Sequence, residues 1–469
     1  MITNTTTIRL EIEKGIRQKG HSLSSFGKLA GINRGIISGI LNGNPPKSIS
    51  IRQLDLMAQA LGHPEGWMYE YYVDECFINE KADWRRIKAF LLRCTEIGRY
   101  DCIQAVLDRL MEDLSNTVSV FGLAEELYEE GKVKESLPFY ECVIENEKHQ
   151  HSERLAIAHY RVFRASIGEN TEQSLRAVIR FEPYRNRLPE NMMLDALLQL
   201  GNIYYNFQDW NLLQNCADEL QSLVKTVYKS ESEKFKNTGI FPVLNTEREL
   251  VVYYGQGYLI KATALEHLGR YEEAKNFILK YADLSDFQLL NDKGLQEVDK
   301  FKLYANANLN NLELLMGNTK GLDDYVNFIQ ENPKETLPSM LIIVNSANKH
   351  HFNIDHIIDQ FHDIIYQKVA IDRNVYPVIT SSRLMVLYHQ LSIYYFHNNE
   401  YNKGIADILR SLALAVKVVN KNRILDCISL FEHFKPYASS GQKKIYETIL
   451  KEVNNNEKSY DISSLNFSD

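Results

Sequence analysis

The sequence has no long hydrophobic run. No stretch of about 18 consecutive apolar residues occurs in its 469 residues, so a membrane-spanning helix is not predicted. The opening segment, MITNTTTIRLEIEKG, also lacks the apolar core of a secretory signal. We therefore expect a cytoplasmic protein with no membrane partner.

Cysteine is scarce and scattered, and the usual catalytic signatures are absent. No two cysteines form a CxxC pair, and the thirteen histidines are equally dispersed, so we predict reduced, buried thiols rather than disulfides or a metal site. No P-loop, dinucleotide fingerprint, HExxH motif or nucleophile elbow occurs. Acidic pairs such as Glu125 with Glu126 and Glu272 with Glu273 are better explained as exposed helix charges. The sequence thus predicts no catalytic residues, no cofactor and no enzyme.

Residues 22–43, SLSSFGKLAGINRGIISGILNG, predict two short helices joined by a tight turn. Ser22 is the expected N-cap of a first helix that runs through Ala30, Gly31 supplies the turn, and Asn33 caps the second helix. The apolar residues expected to face inward are Leu23, Phe26, Ala30, Ile32, Ile36, Ile37 and Ile40.

The second of these helices presents small and polar residues outward, which suits the major groove of DNA, where polar side chains read base edges. The candidate DNA-binding residues are Ser22, Ser24, Lys28, Asn33, Arg34, Gly35, Ser38, Asn42, Asn44 and Lys47. In residues 1–63, eight basic and three acidic residues give a net charge of +5, whereas the whole chain carries −8. Such a basic segment on an acidic chain is expected to contact phosphates at one end only.

This segment resembles the Xre/Cro-type helix-turn-helix family over roughly residues 6–70, because turn, cap, apolar spacing and the following helix SIRQLDLMAQALG all agree. It departs from the family at Gly27, where alanine is usual, and at Gly39, where a longer polar side chain is usual. Glycine inside a helix costs about 1 kcal/mol relative to alanine, so we expect a marginally stable domain. The alternative is that these helices are merely the first pair of a helical array.

Residues 62–77, GHPEGWMYEYYVDECF, are interpreted as the hinge after this domain, with a linker at 71–83. An aromatic run in this segment is expected to pack the N-terminal domain onto the first helix that follows. Its members are Trp67, Tyr69, Tyr71, Tyr72 and Phe77.

From Trp84 onward, helical apolar periodicity repeats in pairs of helices at spacings of roughly 33 to 45 residues, with a provisional count of about nine hairpins. The clearest unit fits the tetratricopeptide pattern at Leu197, Leu200, Gly201 and Tyr204, and Trp210 begins its second helix. Two further units match at Ala262, Gly269, Tyr271 and Ala274, and at Leu391, Ser392, Tyr395, Tyr401 and Gly404.

The predicted fold class is therefore all-α: an N-terminal helix-turn-helix domain, residues 1–70, followed by a right-handed tetratricopeptide-like α-solenoid, residues 84–418. A capping or dimerisation hairpin is predicted at 419–454 and a polar, partly disordered tail at 455–469. The candidate dimerisation residues are Ile424, Leu425, Ile428 and Phe431, although burial against the preceding repeat explains the same apolar positions.

The first helices of stacked hairpins are expected to line a concave groove that binds an extended peptide. The candidate peptide-binding residues are Asn202, Tyr205, Arg248, Gln256, Thr263, Lys302, Asn308, Asn311 and His389. For the asparagines, a solvated or mutually hydrogen-bonded face is the alternative, and for Arg248 and Lys302 it is an ordinary surface charge. These assignments depend on helix phase, since a slip of one residue rotates a side chain by about 100°.

The order of helix-turn-helix and repeats resembles the cytoplasmic peptide-pheromone receptors of Gram-positive bacteria, the RRNPP group, which includes the phage arbitrium receptors. The resemblance covers most of this chain, which is longer than typical members. It implies a homodimeric quorum-sensing transcription regulator that binds operator DNA and is controlled allosterically by an imported short signalling peptide. The alternative is a repeat scaffold that sequesters a protein partner, with DNA binding secondary.

Overall fold

The computed structural model describes residues 7–78, 81–147, 152–168, 171–366, 378–418 and 420–456. Within these ranges the chain is almost entirely α-helical, which confirms the all-α class, and the only strands there are the two-residue β1 (Phe77–Ile78) and β2 (Lys81–Ala82), paired antiparallel. None of the described helices is long and apolar enough to cross a membrane. The chain divides into two compact units, Met1–Phe207 and Gln208–Asp469.

The first unit contains helices α1 to α12. Their bounds are α1 Ile8–Gln18, α2 Leu23–Ala30, α3 Arg34–Asn42, α4 Ile51–Leu61, α5 Tyr69–Glu75, α6 Trp84–Ile97, α7 Tyr100–Leu110, α8 Thr117–Glu129, α9 Val133–Asn146, α10 Glu153–Ser166, α11 Thr171–Phe181 and α12 Glu190–Asn206.

The second unit contains helices α13 to α24. Their bounds are α13 Trp210–Thr238, α14 Leu250–His267, α15 Tyr271–Tyr281, α16 Asp292–Leu315, α17 Leu322–Glu331, α18 Thr336–His350, α19 Asp355–Gln360, α20 His362–Tyr366, α21 Val378–His397, α22 Tyr401–Lys417, α23 Lys421–Phe434 and α24 Ser440–Asn456.

From α6 onward, the described helices follow one another in nine successive pairs along the sequence, which matches the provisional count; α19 and α20 together form the second member of one pair. Several of the turns within pairs place a glycine at positive φ, as at Gly269 (φ 75°) and Gly317 (φ 88°). The spacing prediction is wrong at one place. Helix α12 begins at Glu190 but α14 begins only at Leu250, because α13 extends over 29 residues to Thr238.

In the first unit, one cluster of buried apolar side chains runs from Ile8 to Val162, so α1–α5 and the following helices share a core. Tyr69 and Tyr72 are fully buried, and their rings lie 5.3 and 4.8 Å from that of Phe90 on α6. This contact confirms the predicted packing for Tyr69 and Tyr72, whereas 41% of Tyr71 is exposed. The segment predicted as a linker, 71–83, holds most of α5 and the β1–β2 pair.

Two arginines, Arg93 on α6 and Arg99 directly after it, also hold the N-terminal helices against α6. Arg93 on α6 forms ion pairs with Asp55 of α4 and with Glu65, both at 3.1 Å. Arg99, between α6 and α7, donates to Glu70 of α5 at 2.7 Å. The N-terminal helices are therefore fixed to α6 by charge as well as by apolar packing.

In the second unit, two glycines of α14 allow close helix packing. A Cβ at Gly255 would lie 2.4 Å from the ring of Phe301 on α16, and one at Gly257 would lie 2.9 Å from Cγ of Gln221 on α13. Because Gly257 has no side chain, the side-chain amide of Gln221 reaches the carbonyl oxygen of Gly257 and donates to it at 3.0 Å. Helix α14 consequently packs closely against both α13 and α16.

The last described hairpin, α23 and α24, buries Phe431, so the prediction of this residue as a dimerisation contact was wrong. Phe431 is fully buried and its ring stacks on that of Tyr446 at 3.9 Å, so the hairpin itself covers this side chain. Ile424 and Ile428 are half-buried against the same apolar cluster, whereas Leu425 is 66% exposed. Burial within the chain therefore accounts for Phe431. Most of the predicted polar tail lies outside the described residues.

Replacing Gly27 with alanine is expected to destabilise the first unit by about 1–3 kcal/mol, because the added Cβ would lie 2.6 Å from the backbone oxygen of Ile32. The glycine that departs from the family pattern is thus required by the close approach of α2 to the following turn. Urea unfolding of the full chain, followed by circular dichroism, measures the change.

Gly122→Ala is the matched control, since Gly122 lies exposed inside α8 and a Cβ there meets nothing within 4 Å. We expect this substitution to stabilise the protein by about 0.5–1 kcal/mol through the better helix propensity of alanine. Equal effects of the two substitutions would show that Gly27 is not sterically constrained.

Candidate functional site

Helices α2 and α3 begin at the residues that the sequence predicted. Ser22 caps α2: its Oγ accepts from the Ser25 amide at 3.2 Å, and Ser25 Oγ accepts from the Ser22 amide at 2.9 Å. Gly31 ends α2 with φ 66°. The turn between the two helices is therefore specified by side-chain caps and one left-handed glycine.

Asn33 caps α3, and its Oδ1 accepts from the Gly35 amide at 2.7 Å. This bond uses one lone pair of the Asn33 side-chain oxygen, and the Nδ2 group donates to no described residue. Ile37 and Ile40 are buried as predicted, but Ile36 is 39% exposed, so its inward assignment was wrong. Adjacent helical positions differ by about 100°, and Ile37 is the one that faces the core.

The candidate DNA-binding residues all lie at the surface of the first unit. Ser38 is half-buried, and the other nine, Ser22, Ser24, Lys28, Asn33, Arg34, Gly35, Asn42, Asn44 and Lys47, are exposed. The side chains of Lys28, Arg34 and Lys47 form no ion pair with any described residue. These three cations on and beside α3 are therefore available to an anionic partner.

The acidic residues of the same segment are neutralised elsewhere. Glu11, Glu13 and Asp55 pair with Lys14, Arg17 and Arg93 respectively. Each of these three carboxylates therefore has a cationic partner, but Lys14 and Arg17 belong to the same segment, so their two pairs add nothing to its net positive charge.

Arg9, one of the basic residues counted in this segment, binds other residues of the fold. It pairs with Glu75 of α5 and donates to the backbone oxygens of Ile40 and Lys47, both at 3.2 Å. The guanidinium thus joins α1, α5 and the loop after α3. It fixes that loop in position rather than presenting its charge outward.

Gly39, the second departure from the family pattern, makes room for Lys47. A Cβ at Gly39 would lie 2.9 Å from Cδ of Lys47, and the Lys47 amide donates to the Gly39 oxygen at 2.9 Å. The aliphatic part of Lys47 therefore crosses α3 where a side chain is missing. This arrangement carries the ammonium group close to the exposed face of α3.

The candidate peptide-binding residues of the first unit, Asn202 and Tyr205, are exposed on α12. Together with the half-buried Leu198 they have the spacing of a single helix face. The remaining candidates belong to the second unit.

On α14, Gln256 and Thr263 lie on a half-exposed stripe, as their assignment requires. The Thr263 hydroxyl donates to the Leu259 oxygen of its own helix at 3.0 Å. Arg248 is exposed in the connection before α14, and Lys302 is exposed on α16. Exposure of Arg248 and Lys302 is expected both for a ligand-binding residue and for an ordinary surface charge, so it does not distinguish the two roles.

Asn308 and Asn311 are both engaged within the second unit. Asn308 Nδ2 donates to the Tyr281 hydroxyl at 2.8 Å, and the Tyr325 hydroxyl donates to Asn311 Oδ1 at 2.7 Å. These bonds join α16 to α15 and to α17. The asparagine-rich segment is thus explained in part by hydrogen bonding inside the fold.

His389 is buried, whereas its neighbour Gln390 lies on the half-exposed face of α21. Only 9% of His389 is exposed, and burial, assisted by the charge of Arg423, lowers its pKa to about 4. Asn348 on α18 donates to the side-chain oxygen of Gln390 at 3.1 Å. On α21 the half-exposed position is therefore one residue beyond His389, so the predicted helix phase was off by one residue there.

Neither a metal centre nor a known family helps to assign the site. Within the described ranges, no group of three or more His, Cys, Asp or Glu side chains is placed to hold a metal ion, and all six cysteines, Cys76, Cys94, Cys102, Cys142, Cys216 and Cys427, are free and buried. No family model matches the chain, and no curated protein matches it.

Proposed function

We propose that this chain is a peptide-responsive transcriptional regulator in which α3 reads operator DNA and the helices of the second unit bind a short signalling peptide. The observation that carries the proposal is the surface of α3: Arg34 and Gly35 are exposed and Ser38 is half-buried, while Lys28 before the helix and Lys47 after it form no ion pair with any described residue. Arginine and serine are side chains that hydrogen-bond base edges, and lysines contact phosphates.

The local geometry supports a reading helix rather than an arbitrary surface helix. Caps at Ser22 and Asn33 set where α2 and α3 begin, and Arg9 holds the loop that follows. A side chain that reads base edges must be positioned by its scaffold, and these contacts supply that positioning. Fixation of the N-terminal helices to α6 by Phe90 and Arg93 would transmit any movement of α6 to α3.

A single short helix with few phosphate contacts binds DNA weakly at physiological salt, so the proposal includes a homodimer that places two α3 helices on two half-sites.

The proposed peptide site is supported by half-exposed side-chain amides on the first helices of two pairs, such as Gln256 and Gln390. A side-chain amide can both donate to and accept from a peptide backbone. Peptide binding would change DNA affinity allosterically, without contact between peptide and DNA.

Arg34→Ala and Ser38→Ala are each expected to weaken specific DNA binding by on the order of 1 to 3 kcal/mol while leaving the fold intact, because each removes a contact to a base edge. The preferred sequence is first selected from a random duplex pool with the full chain. Fluorescence anisotropy with that duplex then gives the affinities of the variants.

Arg17→Ala is the matched control, since Arg17 is an exposed arginine of α1 that pairs with Glu13 at 2.6 Å. It removes the same charge away from α3, so we expect a small loss that is equal for specific and random duplexes. The assignment of α3 is rejected if both α3 variants keep wild-type affinity, or if no sequence is enriched by the selection.

A further inference from the structure

Helix α14 leaves only one narrow face uncovered. From Gly255 to Glu266, the half-buried residues are Gln256, Leu259, Thr263 and Glu266, and every other residue is buried. Their spacing of three, four and three residues defines a single helix face. Glu266 therefore lies on the same face as Gln256 and Thr263, near the end of the helix.

The side chain of Glu266 forms no ion pair and no hydrogen bond with any described residue. The three lysines and arginines nearest to Glu266 in the sequence pair with other carboxylates. Lys261 pairs with Asp218 at 2.5 Å, Arg270 with Glu273 at 2.7 Å and Lys275 with Glu313 at 2.6 Å. The carboxylate is thus partly buried without a counter-charge. Such a group is costly to ionise, and burial raises the pKa of Glu266 to about 7.

Two buried tyrosines, on α15 and α17, interact electrostatically with Glu266. Burial raises the pKa of Tyr281 on α15, and the negative charge of Glu266 adds to that rise. Burial also raises the pKa of Tyr325 on α17, with smaller contributions from Glu335 and Glu266. Glu266 therefore lies close enough to both phenols to affect them. Both phenols are buried, so the open side of the carboxylate is the half-exposed face of α14, where a cationic group can form a charge-assisted hydrogen bond with it.

We propose that Glu266 receives a cationic group of the bound ligand, either the α-ammonium or the side chain of lysine or arginine, while Gln256 contacts the peptide backbone. This proposal rests on the proposed peptide-binding function. A cation at this position supplies the missing counter-charge and removes the penalty of a buried, unpaired carboxylate. Asn308 on α16 and Tyr281 on α15, two helices that both pack against α14, are joined by their own hydrogen bond.

The test uses the full chain and a random hexapeptide library with free amino termini. Peptides selected on the wild-type protein are resynthesised in three forms: unchanged, N-acetylated, and with lysine or arginine replaced by norleucine or citrulline. Calorimetric titration compares wild type with Glu266→Gln. We expect the substitution to weaken binding of the cationic form by about tenfold or more and to leave the relevant neutral form unchanged. A loss of wild-type affinity in the N-acetylated form identifies the bound cation as the terminal ammonium. A loss in the norleucine or citrulline form identifies it as a side chain.

Glu272→Gln is the matched control, because Glu272 is an exposed carboxylate at the start of α15. A second readout excludes a structural explanation for lost binding. The pKa of Glu266 is raised in the folded chain, so its contribution to stability is lost as pH rises toward and through 7. Glu266→Gln cannot ionise, so its advantage in melting temperature over wild type should grow from pH 5 to pH 8.

The proposal predicts a variant that is more stable at pH 8 yet binds the cationic peptide more weakly. It is overturned if Glu266→Gln binds every peptide like wild type, or if cationic and neutral forms lose affinity equally. The first of these results leaves the proposed peptide-binding function standing. If no peptide is selected from the library, both this proposal and the peptide half of the proposed function fail.

Discussion

Replacing Phe90 with alanine is expected to destabilise the first unit by about 3–5 kcal/mol, the largest single apolar effect that we predict. Phe90 is fully buried on α6, and both Tyr69 and Tyr72 of α5 pack against its ring. Removing the ring leaves a cavity between α5 and α6, and the fully buried tyrosines cannot collapse into it without losing their own hydrogen bonds to Asp55 and to the Ile49 oxygen.

Urea unfolding of the full chain measures this loss, with Tyr71→Ala as the matched control. Tyr71 is a neighbouring aromatic residue of α5, but 41% of it is exposed, so its removal should cost far less than that of Phe90. If the free energy of unfolding of Phe90→Ala lies within about 0.5 kcal/mol of the wild-type value, as for a surface substitution, the packing of α5 on α6 is not what holds the N-terminal helices.

Replacing Arg161 with alanine is expected to cost a similar amount, about 3–5 kcal/mol, because it leaves a largely buried carboxylate, 21% exposed, without its cation. The Arg161 guanidinium on α10 binds both oxygens of Glu125 on α8 at 3.0 Å, and the Tyr140 hydroxyl also donates to Glu125. Arg161 is only 14% exposed, and its guanidinium lies 3.9 Å from the centroid of the Tyr128 ring. Its loss therefore removes two charge-assisted hydrogen bonds and a cation–π contact.

Arg180→Ala provides the comparison for Arg161. Arg180 also binds both oxygens of a glutamate, Glu141, but the side chains of this pair are 45% and 35% exposed. Exposed pairs contribute about 0–1 kcal/mol, so we expect a small effect on the urea midpoint. Similar losses for the two arginine variants would contradict the view that burial makes the Arg161 pair important.

Local signals in the sequence were sufficient to predict where several helices begin. Ser22, Gly31 and Asn33 act through their own backbone or through neighbours within three residues, and the structure places all three as caps or turns. The same holds for Trp210 and Tyr271, which begin the helices that the repeat pattern indicated. Such signals are readable because their physical cause lies inside a few consecutive residues.

Features that depend on distant contacts could not be predicted from the sequence. The need for glycine at position 27 depends on the position of the Ile32 oxygen, and the structural role of Arg9 depends on Glu75. The partial burial of Glu266 without a cation likewise depends on where three neighbouring cations find their partners. Each of these outcomes is decided by residues that no local pattern connects.

Helix phase limited the assignment of the peptide-binding face. The stripe on α14 that includes Gln256 and Thr263 agrees with the predicted phase, whereas on α21 the half-exposed residue is Gln390 rather than His389. A helix that is apolar nearly all round has a weak amphipathic signal, so its exposed face cannot be located to one residue. The assignment of all these residues to peptide binding stays a prediction.

The most direct test of the central claim is the affinity of the full chain for its selected duplex, measured by fluorescence anisotropy with and without a saturating selected peptide. The proposed coupling between the two sites predicts a change in the dissociation constant of about 5- to 150-fold, in either direction, that disappears in the Arg34→Ala variant. Unchanged DNA affinity at saturating peptide, with peptide binding confirmed in the same sample by calorimetry, would contradict a peptide-responsive regulator.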